Sequence, residues 1–520
     1  MNTTTDDASW STDIHDPDIV KQWHNDQRNA GDLSDQAFAY YIQELKDKSG
    51  DFDNSGMVQV FDTPDATVVK LDGFRLSRDR EFALGLLDGC QPRDYEVSLP
   101  RSGALVRHLV NPSSYLLRAD RSRVLSTTRP VLCENTVDNS FSEERWMPSN
   151  SLVESDPFWS NHRQWLPADV AWKQDGSPEL RSYINNLHPQ QKIAYRFIEE
   201  AIQNAIPLWN VVLSSLGTKR KRRMNPRSYR TTPASPPLGR HCFFQQGWDR
   251  QDSTHIVIDP EPAKYDGKGF DAGNAVNLVN DFPDGIQVIV KITTIELLPS
   301  SKPPRSESEP FDNDWHIEGM MNEHICAGAV LCYDRENLRT GGIRFRQRTD
   351  TDEILDLFEH KTRLEACAYC AQQVLGMING DKAYQNLGYA PNFGGRMIAY
   401  PNVLQTRATG VYLDDEDKPG HCKMLTLLLV DPYIRILSTA NVPPQQRNWW
   451  DWEVQEDGSR LGKLPADLFD HKCSFLSDDP HFMSLESAKE ERIKREAEMV
   501  EFNDALDKHT KVFDAFKAMP

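Results

Sequence analysis

The sequence predicts an α+β protein in which a strand-rich core follows a helical N-terminal elaboration and precedes a C-terminal helix. From His255 onward the apolar pattern has the period of β-strands, and the run GIQVIVKITTIELL at 285–298 is rich in β-branched residues. A helical period covers 188–216 before this core, and another covers 487–517 after it. We therefore divide the chain into an N-terminal elaboration at 1–180, a helix and basic loop at 181–250, the strand core at 251–450 and a C-terminal extension with its helix at 451–520.

Composition and charge limit the classes of partner. Hydrophobic residues make up 38% of the 520 positions and charged residues 26%, which is ordinary for a soluble globular protein. The formal net charge of −19 repels phosphate backbones, so we expect no nucleic-acid partner. The basic run KRKRR at 219–223 precedes a Pro- and Ser-rich stretch and is predicted to be a solvated surface loop rather than an import signal.

Cysteine usage and hydropathy predict a cytoplasmic protein with no membrane partner. Nine cysteines without regular spacing do not form the pattern of a disulfide framework. The first residues lack the basic and apolar regions of a secretory signal, and no run of 18 apolar residues could span a bilayer. Cys367 and Cys370 form a CxxC pair, but no second ligand pair accompanies it, so we expect both to pack in a buried helix.

The first predicted helix, at 188–216, has local signals at both ends. Pro189 lies in its first turn and Gly217 follows its last residue. Pro207 predicts a kink. The apolar residues that share one face are Ile193, Phe197, Ile198, Ala201, Ile202 and Ala205.

The second predicted helix, at 487–517, begins with Ser487 and Glu490 in the spacing of a capping box. Its dense charge indicates a solvated outer side, and we expect it to brace the core from outside. The apolar residues predicted to face the core are Ile493, Val500, Phe513 and Phe516.

A histidine and a carboxylate at alternate positions supply the candidate chemistry. His316 and Glu318 are separated by one residue, and on an extended chain such side chains point to the same side. An imidazole and a carboxylate are two thirds of the 2-His-1-carboxylate set that binds non-haem Fe(II). Such a pair also occurs by chance, in which case a surface hydrogen bond explains it.

The surroundings of this pair resemble the prolyl-hydroxylase-like oxygenases, which depend on Fe(II) and 2-oxoglutarate. The apolar strand ICAGAVLCY at 325–333 follows the pair, and then come Gly341, Gly342 and the strand IRFR at 343–346. In those enzymes a His-x-acid pair leads into a strand that ends in tyrosine, and two glycines open the next strand. The resemblance implies a double-stranded β-helix, a jelly-roll or cupin-like fold, centred on residues 310–440.

A second resemblance, to a fungal domain-of-unknown-function family, extends over roughly 150–450. Besides the helix LHPQQKIAYRFIEEAIQNAIPLWN at 187–210, four segments carry this likeness. They are WHIEG at 315–319, PNVLQTRA at 401–408, KPGHCK at 418–423 and LVDP at 429–432.

Two substitutions in these motifs affect the expected chemistry. Thr406 stands where the family has the histidine expected to be the third iron ligand, and Cys422 stands where it has the arginine expected to hold the distal carboxylate of 2-oxoglutarate. A hydroxyl is a poor substitute for imidazole on Fe(II), and a thiol forms no bidentate salt link to a carboxylate. We therefore expect no cofactor, with Fe(II) and 2-oxoglutarate as the alternative.

The two resemblances together imply a small-molecule tailoring enzyme of a fungal natural-product pathway. With the oxygenase set incomplete, a redox-neutral cyclisation, isomerisation or pericyclic step on a hydrophobic substrate is the leading interpretation. One alternative is a non-haem Fe(II) oxygenase with His316 and Glu318 as metal ligands. Another is a non-catalytic binding protein, because a fold alone does not guarantee activity. The oligomeric state stays open.

Candidate site residues follow from these motifs and from alternation along the strands. Arg407 should point away from Thr406, because successive residues of a strand face opposite sides. For several of the candidates, core packing is an equally good explanation. The predicted catalytic residues are His316, Glu318, Arg346 and Thr406, and the predicted substrate-binding residues are Trp315, Asn322, Tyr333, Arg344 and Cys422.

Overall fold

The structure is a computed structural model, and its description covers only part of the chain. The described residues are 2–30, 33–75, 96–98, 105–125, 145–147, 156–216, 230–233, 255–258, 262, 265, 275–299, 315–339, 341–351, 376–447, 449 and 479–513. The predictions for the KRKRR run at 219–223, for Cys367 and Cys370, and for Phe516 lie outside them.

Six α-helices and seventeen β-strands are formed by the described residues. The helices are α1 (Trp10–Asp13), α2 (Pro17–Ala30), α3 (Asp35–Ser55), α4 (Lys192–Leu216), α5 (Leu278–Asp281) and α6 (Leu485–His509). The strands are β1 (Met57–Asp62), β2 (Thr67–Leu71), β3 (Glu96–Ser98), β4 (Leu105–Val110), β5 (Leu117–Arg118), β6 (Arg163–Gln164), β7 (Ala168–Trp172), β8 (Pro178–Leu180), β9 (Arg230–Pro233), β10 (His255–Ile258), β11 (Ile286–Leu297), β12 (Ile325–Glu336), β13 (Gly342–Arg348), β14 (Tyr384–Pro391), β15 (Arg396–Pro401), β16 (Leu404–Ala408) and β17 (Gly420–Val430).

A large antiparallel sheet dominates the molecule. Its strands follow the order β1-β2-β15-β12-β17-β11-β4-β3, with β7 beside β11 and β8 beside β7. The long central strands are fixed in register where Val330 and Lys291 both lie opposite Thr426. These strands are apolar at most positions on both faces, which is the pattern expected where a sheet is covered on both sides.

A smaller antiparallel sheet of order β14-β13-β16 faces the large one. Phe345 and Leu404 of the small sheet share a buried cluster with Val330, Ile398 and Tyr400 of the large sheet. We name the side of the large sheet that is turned toward the small sheet its inner face. The architecture is thus mixed, with large antiparallel sheets and a C-terminal helix, and this confirms the α+β class.

The outer face of the large sheet is covered by α4, as its apolar period predicts. Phe197, Ile198 and Ala201 are fully buried in one cluster with Leu427 and other apolar residues of β12, β15 and β17. Ile193, which we also assigned to this face, is 46% exposed, because it lies in the first turn of the helix. The helix includes Pro207 and continues to Leu216.

The C-terminal helix differs from its prediction in both its start and its face. Its N-cap is Ser484, whose Oγ accepts a hydrogen bond from the Ser487 amide at 3.2 Å, so Ser487 lies inside the helix. Ile493 and Val500 are 65% and 62% exposed. The buried residues are Ala488, Glu491, Arg495, Phe502 and Ala505. The prediction for Ile493 and Val500 was wrong because it counted only apolar residues, whereas two charged side chains lie on the buried face. Phe513 is fully buried, but it follows the end of the helix.

A fully buried ion pair attaches α6 to the core. Both side chains are 0% exposed, and Arg495 Nη2 lies 2.7 Å from each carboxylate oxygen of Glu323. Glu323 Oε1 also accepts the Trp165 amide at 2.9 Å, and Oε2 accepts the Met320 amide at 2.7 Å. Because every charge has a partner here, the cost of burying the pair is offset by hydrogen bonds.

The N-terminal residues are attached to the edge of the large sheet through a second buried network. Asp6 accepts from Lys70 Nζ at 2.5 Å and from Arg396 Nη1 at 2.7 Å. Arg396 also forms a bidentate pair with Asp72.

Within the part of the chain that is described, no helix has the length and hydropathy needed to cross a bilayer.

We expect Arg495→Met to lower the free energy of unfolding by about 3 to 5 kcal/mol, because it leaves the Glu323 carboxylate buried without its cation. Denaturant unfolding followed by circular dichroism measures this loss. The matched control is Lys418→Met, whose exposed pair with Asp415 is screened by solvent and should contribute little to stability. Equal effects of the two substitutions would contradict the anchoring role of the buried pair.

Candidate functional site

The segment that carries the predicted His-x-Glu pair lies alongside β16. The His316 amide donates to the Thr406 carbonyl at 3.1 Å, and the Thr406 amide donates to the His316 carbonyl at 2.8 Å. Directly opposed residues of an antiparallel pair direct their side chains to the same face. Thr406 is in turn opposite Phe345, which is buried between the two sheets. His316 and Thr406 therefore lie side by side and point toward the inner face of the large sheet.

Glu318 is a buried carboxylate with a lysine partner. It is 7% exposed, and its Oε2 lies 2.8 Å from Lys291 Nζ. Asn402 fixes the backbone here, because its Oδ1 accepts the Glu318 amide and its Nδ2 donates to the Glu318 carbonyl, both at 2.9 Å. Burial alone would raise the pKa of Glu318, but the charges of Lys291 and His316 and the Lys291 hydrogen bond outweigh it and leave that pKa lowered. The carboxylate is therefore ionised at neutral pH.

Lys291 was missed by the sequence analysis. It lies in the middle of β11 opposite Thr426, which places its side chain on the inner face of the large sheet. Besides contacting Glu318, its Nζ lies 5.6 Å from the centre of the Trp165 ring, and Arg495 Cζ lies 5.5 Å from the same ring. The sequence did contain a signal for this residue, because a lysine interrupts a run rich in apolar β-branched residues. Alternation along the strand places its side chain on the same face as Ile289, which is buried.

Tyr400 completes the site and was also missed. It lies on β15 opposite Gly328, where an added Cβ would come within 2.8 Å of the Tyr400 ring, so the glycine makes room for the ring. Burial raises the pKa of the Tyr400 phenol, and the nearby Glu318 charge raises it further, despite a hydrogen bond with the Thr406 side chain. The phenol is therefore neutral and able to donate a hydrogen bond.

Five side chains thus converge between the two sheets. We name them the inner cluster: Lys291, His316, Glu318, Tyr400 and Thr406. The cluster combines an ammonium, an ionised carboxylate, an imidazole and a neutral phenol. Such a set can accept, hold and return a proton without an external redox partner.

The structure places Arg346, Arg344 and Trp315 on the opposite side of the small sheet from the inner cluster. The guanidinium groups of Arg346 and Arg407 both lie over the Trp315 ring, each 4.7 Å from its centre. Arg346 Nε also donates to Gln405 at 2.6 Å, and Arg344 lies over the Tyr389 ring. The prediction that Arg346 acts with His316 is therefore corrected. Arginines at alternate positions with Phe345 must face away from it.

Tyr333 and Asn322 also lie away from the inner cluster. Tyr333 packs on the outer face of the large sheet, with its ring 5.2 Å from that of Phe197 in α4. Asn322 braces the backbone, since its Nδ2 donates to the Arg163 carbonyl at 2.9 Å and its Oδ1 accepts the Ser160 amide at 3.4 Å. These contacts correct the prediction that both residues line a substrate pocket.

Cys422 does face inward from β17, but it lies near the other end of the strand. It is opposite Ile295, four residues along the strand from Thr426, the residue that faces Lys291. Its Sγ lies 3.3 Å from Cys332 Sγ, and both side chains are buried.

The donor set of the inner cluster does not fit the facial triad. His316 and Glu318 lie on the same face, as the resemblance implies, but the third position carries the Thr406 hydroxyl. The Glu318 carboxylate is moreover in contact with the Lys291 ammonium, which competes with any divalent cation for it. Among the described residues, no group of three or more His, Cys, Asp or Glu side chains could hold a metal ion.

Comparisons with known proteins assign the chain to a family whose activity is not described. A family model described as Protein of unknown function (DUF4246) matches residues 35–453. No curated protein matches the chain. A crystal structure of a bsmA homologue from Methylobium petroleophilum PM1 is similar over 29% of this chain and 45% of that chain, with 11% identity and a TM-score of 0.18. This chain therefore spans less than half of that protein, and a likeness so weak carries no argument.

We predict that Lys291→Met destabilises the protein in a pH-dependent way. Without the ammonium, burial dominates and the pKa of Glu318 rises above its ordinary value. The loss in unfolding free energy should then be about 3 kcal/mol at pH 7, where the carboxylate is buried as a lone charge. It should shrink as the pH falls toward 4, because there the carboxyl of the variant is protonated at little cost.

Urea unfolding of the wild type and of Lys291→Met at several pH values measures this difference. The Lys291→Met/Glu318→Gln double variant is the matched control, and it should lose less stability at pH 7 than the single variant because no lone charge remains. A loss that is the same at pH 4 and pH 7 would show that the ion pair does not govern this site.

Proposed function

The chain belongs to the family described as Protein of unknown function (DUF4246), and from that premise we propose that it is an enzyme catalysing a redox-neutral, proton-transfer step on a small molecule. The observation that carries the proposal is the ionised Glu318 carboxylate, which is buried in contact with the Lys291 ammonium and near the His316 imidazole. Perturbed ionisable groups that converge in one place are typical of catalytic sites.

The scaffold of this proposed enzyme is a double-stranded β-helix. Eight successive segments support this: β11, the extended segment at 315–318, β12, β13, β14, β15, β16 and β17. The strands β11, β12, β15 and β17 belong to the large sheet. The segment at 315–318 and the strands β13, β14 and β16 belong to the small sheet, so the chain passes repeatedly from one sheet to the other. Two Greek keys folded into a jelly roll produce this alternation. The resemblance to Fe(II)- and 2-oxoglutarate-dependent oxygenases implies the same scaffold.

The proposed mechanism assigns the proton transfer to His316. Its imidazole is half-buried beside Thr406 and takes a proton from a carbon or oxygen of the substrate, then returns it at another position. Glu318 stabilises the imidazolium that forms, and Lys291 keeps Glu318 ionised throughout. No electrons are gained or lost overall, so the product is an isomer of the substrate.

Tyr400 supplies the second part of the mechanism. Its neutral phenol donates a hydrogen bond to a substrate oxygen on which negative charge develops. Val330, Ile398 and Phe345 surround it with apolar surface. We propose a hydrophobic substrate with an oxygen function, such as an intermediate of a natural-product pathway.

The proposal is tested by metabolite profiling and by assays of purified protein. A host strain that lacks the gene is complemented with the wild type, His316→Ala, Glu318→Gln or the exposed control Lys418→Met. The intermediate that accumulates is then incubated with purified protein in the presence of a chelator. We expect conversion to a product of equal mass by the wild type and Lys418→Met, and a loss of at least about 100-fold in rate for His316→Ala.

Other outcomes would overturn the proposal. A product that gains an oxygen atom only when Fe(II) and 2-oxoglutarate are added identifies an oxygenase, with His316 and Glu318 as metal ligands. Unchanged metabolites for both His316→Ala and Glu318→Gln identify a non-catalytic binding protein.

A metal-binding experiment tests the role given to Lys291. We expect Thr406→His to supply an imidazole beside His316, yet to bind Co(II) weakly because Lys291 still occupies the Glu318 carboxylate. Thr406→His/Lys291→Met should bind at least about 10-fold more tightly, equivalent to about 1.4 kcal/mol. Calorimetric titration measures both affinities. Equal affinities for the two variants would mean that Lys291 does not compete with a metal.

A further inference from the structure

Two thiols meet between the neighbouring central strands β12 and β17, away from the inner cluster. Cys332 on β12 and Cys422 on β17 are 0% and 3% exposed, and their Sγ atoms are 3.3 Å apart. These neighbouring strands change register between Cys332 and Asp334. Because of this irregularity Cys332 is opposite Met424 while Arg335 is opposite Cys422, so the two thiols approach each other diagonally.

The surroundings make the two thiols unequal. The pKa of Cys422 is lowered, chiefly by the hydrogen bond with Cys332 and further by the Arg335 guanidinium, although burial opposes this. The pKa of Cys332 is raised by the same hydrogen bond and by burial. We assign the thiolate, the nucleophilic form of cysteine, to Cys422 because its strand position lies directly opposite Arg335. Arg335 is held beside it by hydrogen bonds to the Leu338 and Asn392 carbonyls.

We propose that Cys332 and Cys422 form a reversible modification site, which closes to an intrachain disulfide on reaction with a hydroperoxide such as hydrogen peroxide. This site is independent of the proposed proton-transfer reaction, since neither thiol belongs to the inner cluster. A disulfide requires a sulfur–sulfur distance of about 2.05 Å. The sulfurs therefore need to approach each other by roughly 1.3 Å from their present 3.3 Å separation.

The chemistry balances in two steps. The Cys422 thiolate attacks one oxygen of the peroxide, the O–O bond breaks, and the departing hydroxide takes a proton to become water, leaving a sulfenic acid. The Cys332 sulfur then attacks the Cys422 sulfur, the S–O bond breaks, and a second water leaves with the Cys332 proton. Together the two thiols lose two electrons and two protons, and one hydrogen peroxide becomes two waters.

Cys326 provides a matched control on the same strand. Its thiol is partly exposed and contacts the Leu429 carbonyl at 3.5 Å, and burial raises its pKa. If solvent exposure determined reactivity toward peroxide, Cys326 would be oxidised first. If the contact between two thiols determines it, Cys332 and Cys422 are oxidised instead, so identifying the oxidised residue distinguishes the two explanations.

The experiment treats the full-length folded protein with hydrogen peroxide and maps its peptides by mass spectrometry without reduction. We expect a cross-linked peptide pair containing Cys332 and Cys422, with the loss of two hydrogen atoms and reversal by dithiothreitol. Cys326→Ser should behave identically. Cys332→Ser should stop at a sulfenic acid on Cys422 that a dimedone probe captures, and Cys422→Ser should leave Cys332 unmodified.

Stability supplies a second readout that needs no variant. The cross-link closes a segment of about 90 residues, which should raise the Tm of the oxidised wild type by about 4 °C. The proposal is overturned if both thiols stay reduced in the folded protein at peroxide concentrations that oxidise them in urea. Conversion of Cys422 to sulfinic acid without a cross-link would overturn it equally.

Discussion

The contact between Glu318 and Lys291 is the constraint on which the proposed site depends. A carboxylate so deeply buried is stable in its ionised form only with a cation in contact, and the ammonium from the centre of the large sheet is that cation. The strand pairing of β11 with β17 fixes where the cation lies. Asn402 and the pairing of His316 with Thr406 fix where the carboxylate lies. In our proposal the lysine therefore supplies the positive charge that keeps the Glu318 carboxylate ionised.

The same lysine connects the site to the C-terminal helix. Lys291 and Arg495 both contact the Trp165 ring, and each cation also contacts a carboxylate, Glu318 for the lysine and Glu323 for the arginine. Charges of alternating sign thus extend from the inner cluster to α6 through one aromatic ring. The helix that looks peripheral in the sequence therefore contributes to the electrostatic environment of the site.

The sequence predicted the position of a residue well where that position follows from the regular spacing of side chains along a strand or helix. The strands β11, β12 and β13, the sheet-facing side of α4, and the shared direction of His316 and Glu318 followed from periodicity of 2.0 or 3.6 residues. Periodicity does not say which of two faces is the inner one. Arg346 was for that reason assigned to the wrong side of its strand. Lys291 and Tyr400 lie on strands that are distant in sequence from His316 and Glu318. They reach this site only because β11 and β15 belong to the same sheet, with β17 and β12 between them.

The contacts of the Trp315 ring with Arg346 and Arg407 help to fix the direction in which the adjacent His316 points. A shift of this segment by one position along β16 would turn the indole into the space between the sheets and expel the imidazole of His316. The two guanidinium groups oppose that shift from outside. Substitution of either half-buried arginine can therefore change which side chain lies between the sheets without altering His316, Glu318 or Lys291 themselves.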